Sequence, residues 1–310
     1  MSTQSDTMPE SFPAQRAAPG ALSATRPLYW SVRRELWENR SIYFAPLAVG
    51  GVFLLGFMVT LVHLPAKMRA LSGLDPMHFR EGMAVPYDFA AGLMMFTTIL
   101  VSVFYCIDAL HSERRDRSIL FWKSLPVSDL TTVLAKASVP FVILPVIATV
   151  IGAGLHLVML LLSSIVLLGS GQPVAPLWAQ LPVIPMSLLL LYHIVTAHAL
   201  WPAPVYCWLL LVSGWARRAA FLWAIVPVVA ITAFEELVFH TARFAALVGY
   251  RLIGNAPVTS FRPDDMFPTN PMTHITPGTF LSTPSLWIGL AVAAIFLAAA
   301  VRLRRYRGPI

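Results

Sequence analysis

Two places in the chain hold residues whose types and spacing could do chemistry. At 235–243 the order Glu-Glu-Leu-Val-Phe-His-Thr-Ala-Arg sets Glu235 and Glu236 about one helical turn before His240. Paired carboxylates beside an imidazole can activate water. At 111–129 the segment HSERRDRSILFWKSLPVSD runs from a dense polar cluster, His111 to Arg117, into apolar Ile119, Leu120, Phe121 and Trp122, and is then broken by Pro126. That order is not catalytic. It describes a short helix with a charged, solvated face, which is a docking surface; charge alone would favour a positive-inside stop signal with a solvated charge run. Ser128 and Asp129 follow with the chemistry of a helix N-cap and first turn. Other reactive types are scattered. His156, His193 and His198 lie in apolar runs without a neighbouring carboxylate, which fits packing or helix contact better than a proton relay. His63, His78 and His274 lack metal-ligand spacing, so no metal site is expected. Cys106 and Cys207 sit in apolar stretches and give no disulfide framework. Lys67, Lys123 and Lys136 follow Ala, Trp and Ala, so none completes the Gly-x-x-x-x-Gly-Lys loop that holds nucleotide phosphates. No catalytic residue and no resident cofactor is expected.

The elements that must carry these residues are membrane helices. The chain has 310 residues, 57% hydrophobic and 12% charged, with a mean hydropathy of +0.70. A soluble domain carries about a quarter charged residues, so a soluble globular enzyme is excluded. A crossing needs roughly 20 apolar residues, and six fit: near 43–62, 87–110, 133–168, 183–212, 219–240 and 284–301. Nothing alternates like barrel strands, so all six are helices whose backbones satisfy themselves. Pro140 and Pro145 predict a bend in the over-long third segment, Gly152 and Gly154 predict close helix contact, and Trp201-Pro202-Ala203-Pro204 predicts a kink in the fourth. Residues 1–27 read as a disordered tail, having no apolar core for a signal peptide. Residues 28–41 read as an interfacial helix. Tyr29, Val32 and Leu36 form its apolar face, Arg33, Arg34, Glu38 and Arg40 the polar one, and Trp30 and Trp37 are headgroup anchors.

Sidedness follows from the basic residues. On this map sixteen Lys and Arg fall on the side of the two termini, among them Arg33, Arg34, Arg114, Lys136 and Arg304, and six on the other. Both termini are therefore expected in the cytoplasm. The net charge of +7 then reports orientation and contact with membrane lipid, not nucleic acid. Of the exterior connections, 63–86 is mixed polar, 169–180 carries no charge, and 241–283 spans 43 residues. Within the last, TARFAALVGYRLIG reads as an amphipathic helix and NAPVTSFRPDDMFPTNPMTHITPGT as irregular.

The string ERRDRSILFWKSLPVSD with the following Lys136 resembles the segment between the second and third helices of bacterial ABC-2-type permeases, the membrane subunits of ABC exporters. The resemblance extends to the interfacial helix, the six-helix plan, the stretch LLLVSGWARRAAFLWAIVP at 209–227 and the long exterior connection, and so covers 28–301. It implies an all-α integral membrane fold, six transmembrane helices in one permease domain over 28–310, in the bacterial inner membrane. It implies a cytoplasmic coupling helix that meets a separate ABC ATPase subunit, which would bind ATP and Mg, and a second permease subunit, identical or related. The coupling residues carried over are Glu113, Arg114, Asp116, Arg117, Ser118, Phe121, Trp122, Lys123, Ser124, Pro126, Ser128 and Asp129. The charged ones would pair with the ATPase surface, and Phe121 and Trp122 would seat the helix against the membrane domain.

Two other readings stay open. An ion-coupled secondary transporter shares the hydropathy, but usually places ionisable groups at mid-membrane, and Asp108 falls at the end of its span. The segment at 235–243 resembles the Glu-Glu-x-x-x-Arg motif of CAAX-processing intramembrane proteases, but His240 stands at the Arg position and Arg243 comes three residues late. Interface carboxylates that pair with Arg243 or line an exit are the plainer account.

Overall fold

The computed structural model describes residues 25–73, 75–253 and 277–307. Among these every regular element is helical, and six helices are long and apolar enough to cross a membrane. The molecule is an all-α, multi-pass membrane protein. Its outward-facing apolar side chains, such as Val52, Ile165 and Leu237, are what hydrocarbon requires of a bundle surface.

The helices begin and end where local chemistry permits. Helix α1 (Thr25–Glu38) starts within the expected tail, whose residues 1–24 lie outside the described residues. A turn at Asn39 leads into α2 (Ser41–Thr60), a single 3-10 turn follows, and then α3 (Leu64–Leu71). The expected polar connection 63–86 is therefore mostly helix, because α4 (Pro76–Asp108) starts eleven residues earlier than the apolar run at 87. Pro76 occupies the first turn, where its missing N–H costs nothing. The extension places Asp88 inside α4, twenty residues before Asp108. That is about 30 Å of helix, the thickness of the hydrocarbon core.

Two short helices follow, α5 (His111–Arg115) and α6 (Ser118–Ser124). Then α7 (Asp129–Ser138) runs through a π-helical segment, Val139–Ile143, into α8 (Leu144–Gly169). At Pro140 and Pro145, where a bend was expected, the helix widens into this π segment, because a proline removes a ladder hydrogen bond and the wider turn accommodates the loss. After α9 (Ala175–Gln180), α10 (Val183–His193) also passes into a π segment, Ile194–Leu200. A turn at Trp201 and Pro202, where a kink was expected, precedes α11 (Ala203–Trp215). The two π segments pack against each other inside the bundle.

Helix α12 (Ala220–Phe239) is peripheral and buries Ala220 and Ala224. The expected amphipathic segment forms α13 (Arg243–Ile253). The irregular stretch after it lies outside the described residues up to 276; Pro277 to Leu281 form α14. The last crossing, α15, runs Pro284–Tyr306 and packs along α11 through Ala203, Cys207 and Ala293, small residues that let backbones approach. Gly152 makes the close contact expected of it, since a Cβ there would meet Leu190 at 2.6 Å. Gly154 does not: nothing lies within 4 Å of its Cβ position.

Two apolar cores stack along the bundle. One holds Phe57, Met83, Tyr87, Met94 and Met159; the other holds Ile42, Tyr105, Leu144, Tyr206 and Leu210. The second ends at a layer of charge, where α1, α5, α7 and the end of α15 converge. We term this the charged end, and it carries the first and the last described helices.

Candidate functional site

The site grows from one lysine. Lys136 lies in the last turn of α7, within the apolar run that becomes the third crossing, and is 2% exposed. A buried ammonium persists only where carboxylates meet it. Its Nζ lies 2.9 Å from Glu35 Oε1 and 3.1 Å from Glu113 Oε1. Glu35, on α1, is 1% exposed and also accepts from the Tyr105 hydroxyl at 2.7 Å and from Arg34 at 2.9 Å. Glu113, on α5, accepts from Arg34 at 2.6 Å and is bridged on its other oxygen by Arg304 of α15. Arg304 Nε in turn lies 3.2 Å from Asp129. Glu35, Glu113 and Asp129 thus balance Arg34, Lys136 and Arg304 across four helices far apart in sequence. Burial pulls the Arg34 guanidinium down, but the carboxylates of Glu35, Glu113 and Glu38 outweigh it and hold Arg34 above its ordinary value.

The segment 111–129 is mounted on this network. Arg34 stacks on the Trp122 ring, 3.9 Å from its centroid. Arg114 turns inward and donates to the carbonyls of Gly214 and Ala216 at the end of α11, at 2.7 and 3.2 Å. Lys123 donates to the carbonyls of Arg305 and Arg307, capping α15. Ser118 and Ser124 bond to local carbonyls, of Glu113 and Phe121. Ser128 is the N-cap expected of it, accepting from the Thr131 N–H at 3.0 Å. Between α5 and α6 the chain reverses at Arg117, which holds φ at 59°.

The expected coupling residues therefore divide. Glu113 and Arg114 do not present their charge outward: both are buried and bonded within the chain, because a polar run five residues long winds around its helix and part of it must face the bundle. Phe121 does not seat α6. It is 61% exposed, beside Leu120 at 59%, whereas Ile119 is buried and Trp122 half-buried. Positions three apart share a helix face, so 119 and 122 point in together and 121 points out. Asp116, Arg117, Lys123, Ser124, Pro126 and Ser128 are exposed, and Asp129 is half-buried against Arg304. The outer surface of this segment is thus Leu120 and Phe121 framed by Arg117 and Lys123.

Glu35 and Tyr105 were not singled out from sequence, and Arg34 and Arg304 entered only as a polar-face and a sidedness residue. The apolar face expected for α1 was Tyr29, Val32 and Leu36, yet Tyr29 is exposed and Glu35 is the most buried residue of that face. The available signal was Lys136: a lysine inside an apolar run requires a carboxylate from elsewhere.

The other candidates are committed locally. Glu235 folds back from the end of α12 to cap α13, accepting from the N–H groups of Arg243 and Phe244 at 2.9 and 2.7 Å and from the Thr241 hydroxyl. Glu236 is exposed. His156 contacts the Tyr87 carbonyl at 3.0 Å, and His193 that of Leu189 at 2.9 Å. Cys106 and Cys207 are buried and free. Among the described residues no group of three His, Cys, Asp or Glu could hold a metal ion. Comparison with known proteins gives no matching family model, no similar curated protein and no similar solved structure.

Proposed function

We propose that this chain is the membrane-spanning permease subunit of an ATP-driven exporter of the ABC-2 type, with a separate ATPase docking on α6. The observation that carries the reading is the exposed apolar pair Leu120 and Phe121 on a short helix whose inner side is bolted, through Trp122, Arg34 and Glu113, to the ends of the crossing helices. An exposed apolar pair outside the hydrocarbon invites a protein partner, and a rigid mount is what a force-transmitting contact needs. The charged end is cytoplasmic on this reading, by its excess of Lys and Arg, and the membrane is a bacterial inner membrane. A second permease subunit completes the complex, and the partner ATPase binds ATP and Mg.

Closure of the ATPase pair displaces α6. Glu113 passes the displacement to α15 through Arg304 and to the third crossing through Lys136, and α5 passes it to α4 directly. The two packed π segments lie further along the third and fourth crossings, and their widened turns are where those helices bend. The cargo crosses as the six-helix units rock, and the apolar crossings suit an amphipathic one.

The test is affinity purification of the tagged chain from gently solubilised membranes. A stoichiometric P-loop ATPase should co-purify, and Phe121→Glu with Leu120→Ser should release it while leaving elution and thermal stability of the chain unchanged. Glu113→Ala would be uninformative, since it breaks the buried network. Absence of any ATPase from the wild-type preparation sinks the reading.

A further inference from the structure

Beside the ion network, the charged end carries a groove of about 500 Å³ between α1 and the connection from α6 to α7. Its walls include Trp30, Trp37, Trp122 and Val127, its charged side chains are Arg33 and Arg34, and no carboxylate lines it. Arg34 is committed to Glu35 and Glu113. Arg33 is not: it forms no ion pair among the described residues, and its guanidinium is held between the rings of Trp30 and Trp37, 5.2 and 4.9 Å from their centroids. The indole N–H groups of Trp30, Trp37 and Trp122 also lack a protein acceptor among the described residues. The lining thus offers apolar surface, N–H donors and one uncommitted cation, with no anionic acceptor. Its complement is a ligand with an apolar body and an anionic, acceptor-rich head.

The level of the groove narrows the ligand further. Helix α1 leads through one turn into the first crossing, and α6 lies between the ends of the second and third. The groove therefore opens where the apolar helices meet water, the depth of phospholipid headgroups and the depth at which tryptophan is enriched. We infer that it seats one anionic glycerophospholipid, whose phosphate is held by Arg33, whose ester region takes the indole N–H groups, and whose apolar part lies along Trp122 and Val127. A peptide segment of a partner protein would need acceptors on the groove to satisfy its own N–H groups, and the only side-chain acceptors in the lining are the hydroxyls of Ser31 and Thr132, each already bonded to a backbone carbonyl. This inference is independent of the exporter reading.

The test uses the full chain, purified in mild detergent and examined by native mass spectrometry with equimolar phosphatidylglycerol and phosphatidylcholine. Phosphatidylglycerol should be retained preferentially. Arg33→Gln should lower its retention relative to phosphatidylcholine about fivefold, the effect of one basic residue at an anionic surface. Trp37→Phe, which keeps an aromatic face and removes one donor, should lower it by less, and Arg302→Gln, exposed on α15 away from the groove, should leave it unchanged. If Arg33→Gln does not elute as a single species, Arg33→Lys and Trp37→Phe carry the comparison. Equal retention of the two lipids overturns the inference, as does an equal fall with Arg302→Gln, which would mean diffuse surface charge. A partner protein crosslinked at high yield to Val127→Cys, with no phospholipid retained, overturns it in favour of a protein occupant.

Discussion

Arg117 sits in the left-handed region at φ 59°, between two short helices whose inner residues, Glu113 and Ile119, are both buried. A side chain in that region costs roughly 1 kcal/mol that glycine does not incur. The chain accepts it because the reversal lets α5 face the ion network while α6 turns Ile119 and Trp122 toward α1. Arg117→Gly should therefore raise the thermal midpoint of the purified chain, by the equivalent of up to about 1 kcal/mol, while weakening any partner contact that uses the guanidinium. A lower midpoint in the glycine variant would mean that the side chain itself is structural. Nothing in the local sequence announces this conformation, since Asp116 and Arg117 read as ordinary polar positions. The N-cap at Ser128 was legible for the opposite reason: a hydroxyl before Asp129 and an apolar run is a local signal needing no tertiary contact.

At the scale of elements, α13 shows how a segment with modest hydropathy is fixed to a membrane bundle. Its Arg251 is 7% exposed, donates to the backbone carbonyl and, at 3.0 Å, to the hydroxyl of Ser285, and stacks 4.8 Å from the centroid of Trp201. The Trp201 indole donates to the Tyr250 carbonyl at 2.8 Å, closing the clasp between α13, the turn before α11 and the start of α15. Gly289 makes room for it, for a Cβ there would lie 2.6 Å from Arg251 Nη1. Gly289→Ala should cost about 1–3 kcal/mol by overpacking, and should cost almost nothing in an Arg251→Met background. Thermal unfolding of the four proteins in detergent checks this, and equal costs in both backgrounds would show that the contact is not the cause. The amphipathic period of 241–254 announced α13, but not its partner.

At the scale of the whole molecule, the ion network makes one body of α1, α5, α7 and α15. Removing one member of a buried pair leaves an uncompensated charge and costs about 3–5 kcal/mol, whereas removing both costs much less. Glu35→Gln and Lys136→Met should each lower stability strongly, and the double variant should be destabilised by less than the sum, with a coupling of at least about 1 kcal/mol. Additive effects in a double-mutant cycle would refute a direct pair. Because α1 and α15 meet at Glu113, cleavage between α1 and α2 should leave α1 associated with the bundle.

Hydropathy and length alone determined that the chain is an all-helical membrane protein with six helices long and apolar enough to cross, because each of these is set within some twenty residues by the apolar solvent and the backbone's need to satisfy itself. That 111–129 holds a short helix between the polar cluster and Pro126 was legible on the same local grounds. Which of its residues face out was decided only by tertiary structure. Glu113 and Phe121 exchange the roles their chemistry implies, the acid buried and the aromatic exposed, because burial of a charge depends on cations brought from α1, α7 and α15, residues up to 191 positions away along the chain. No local pattern encodes such a meeting, and the fold supplies it.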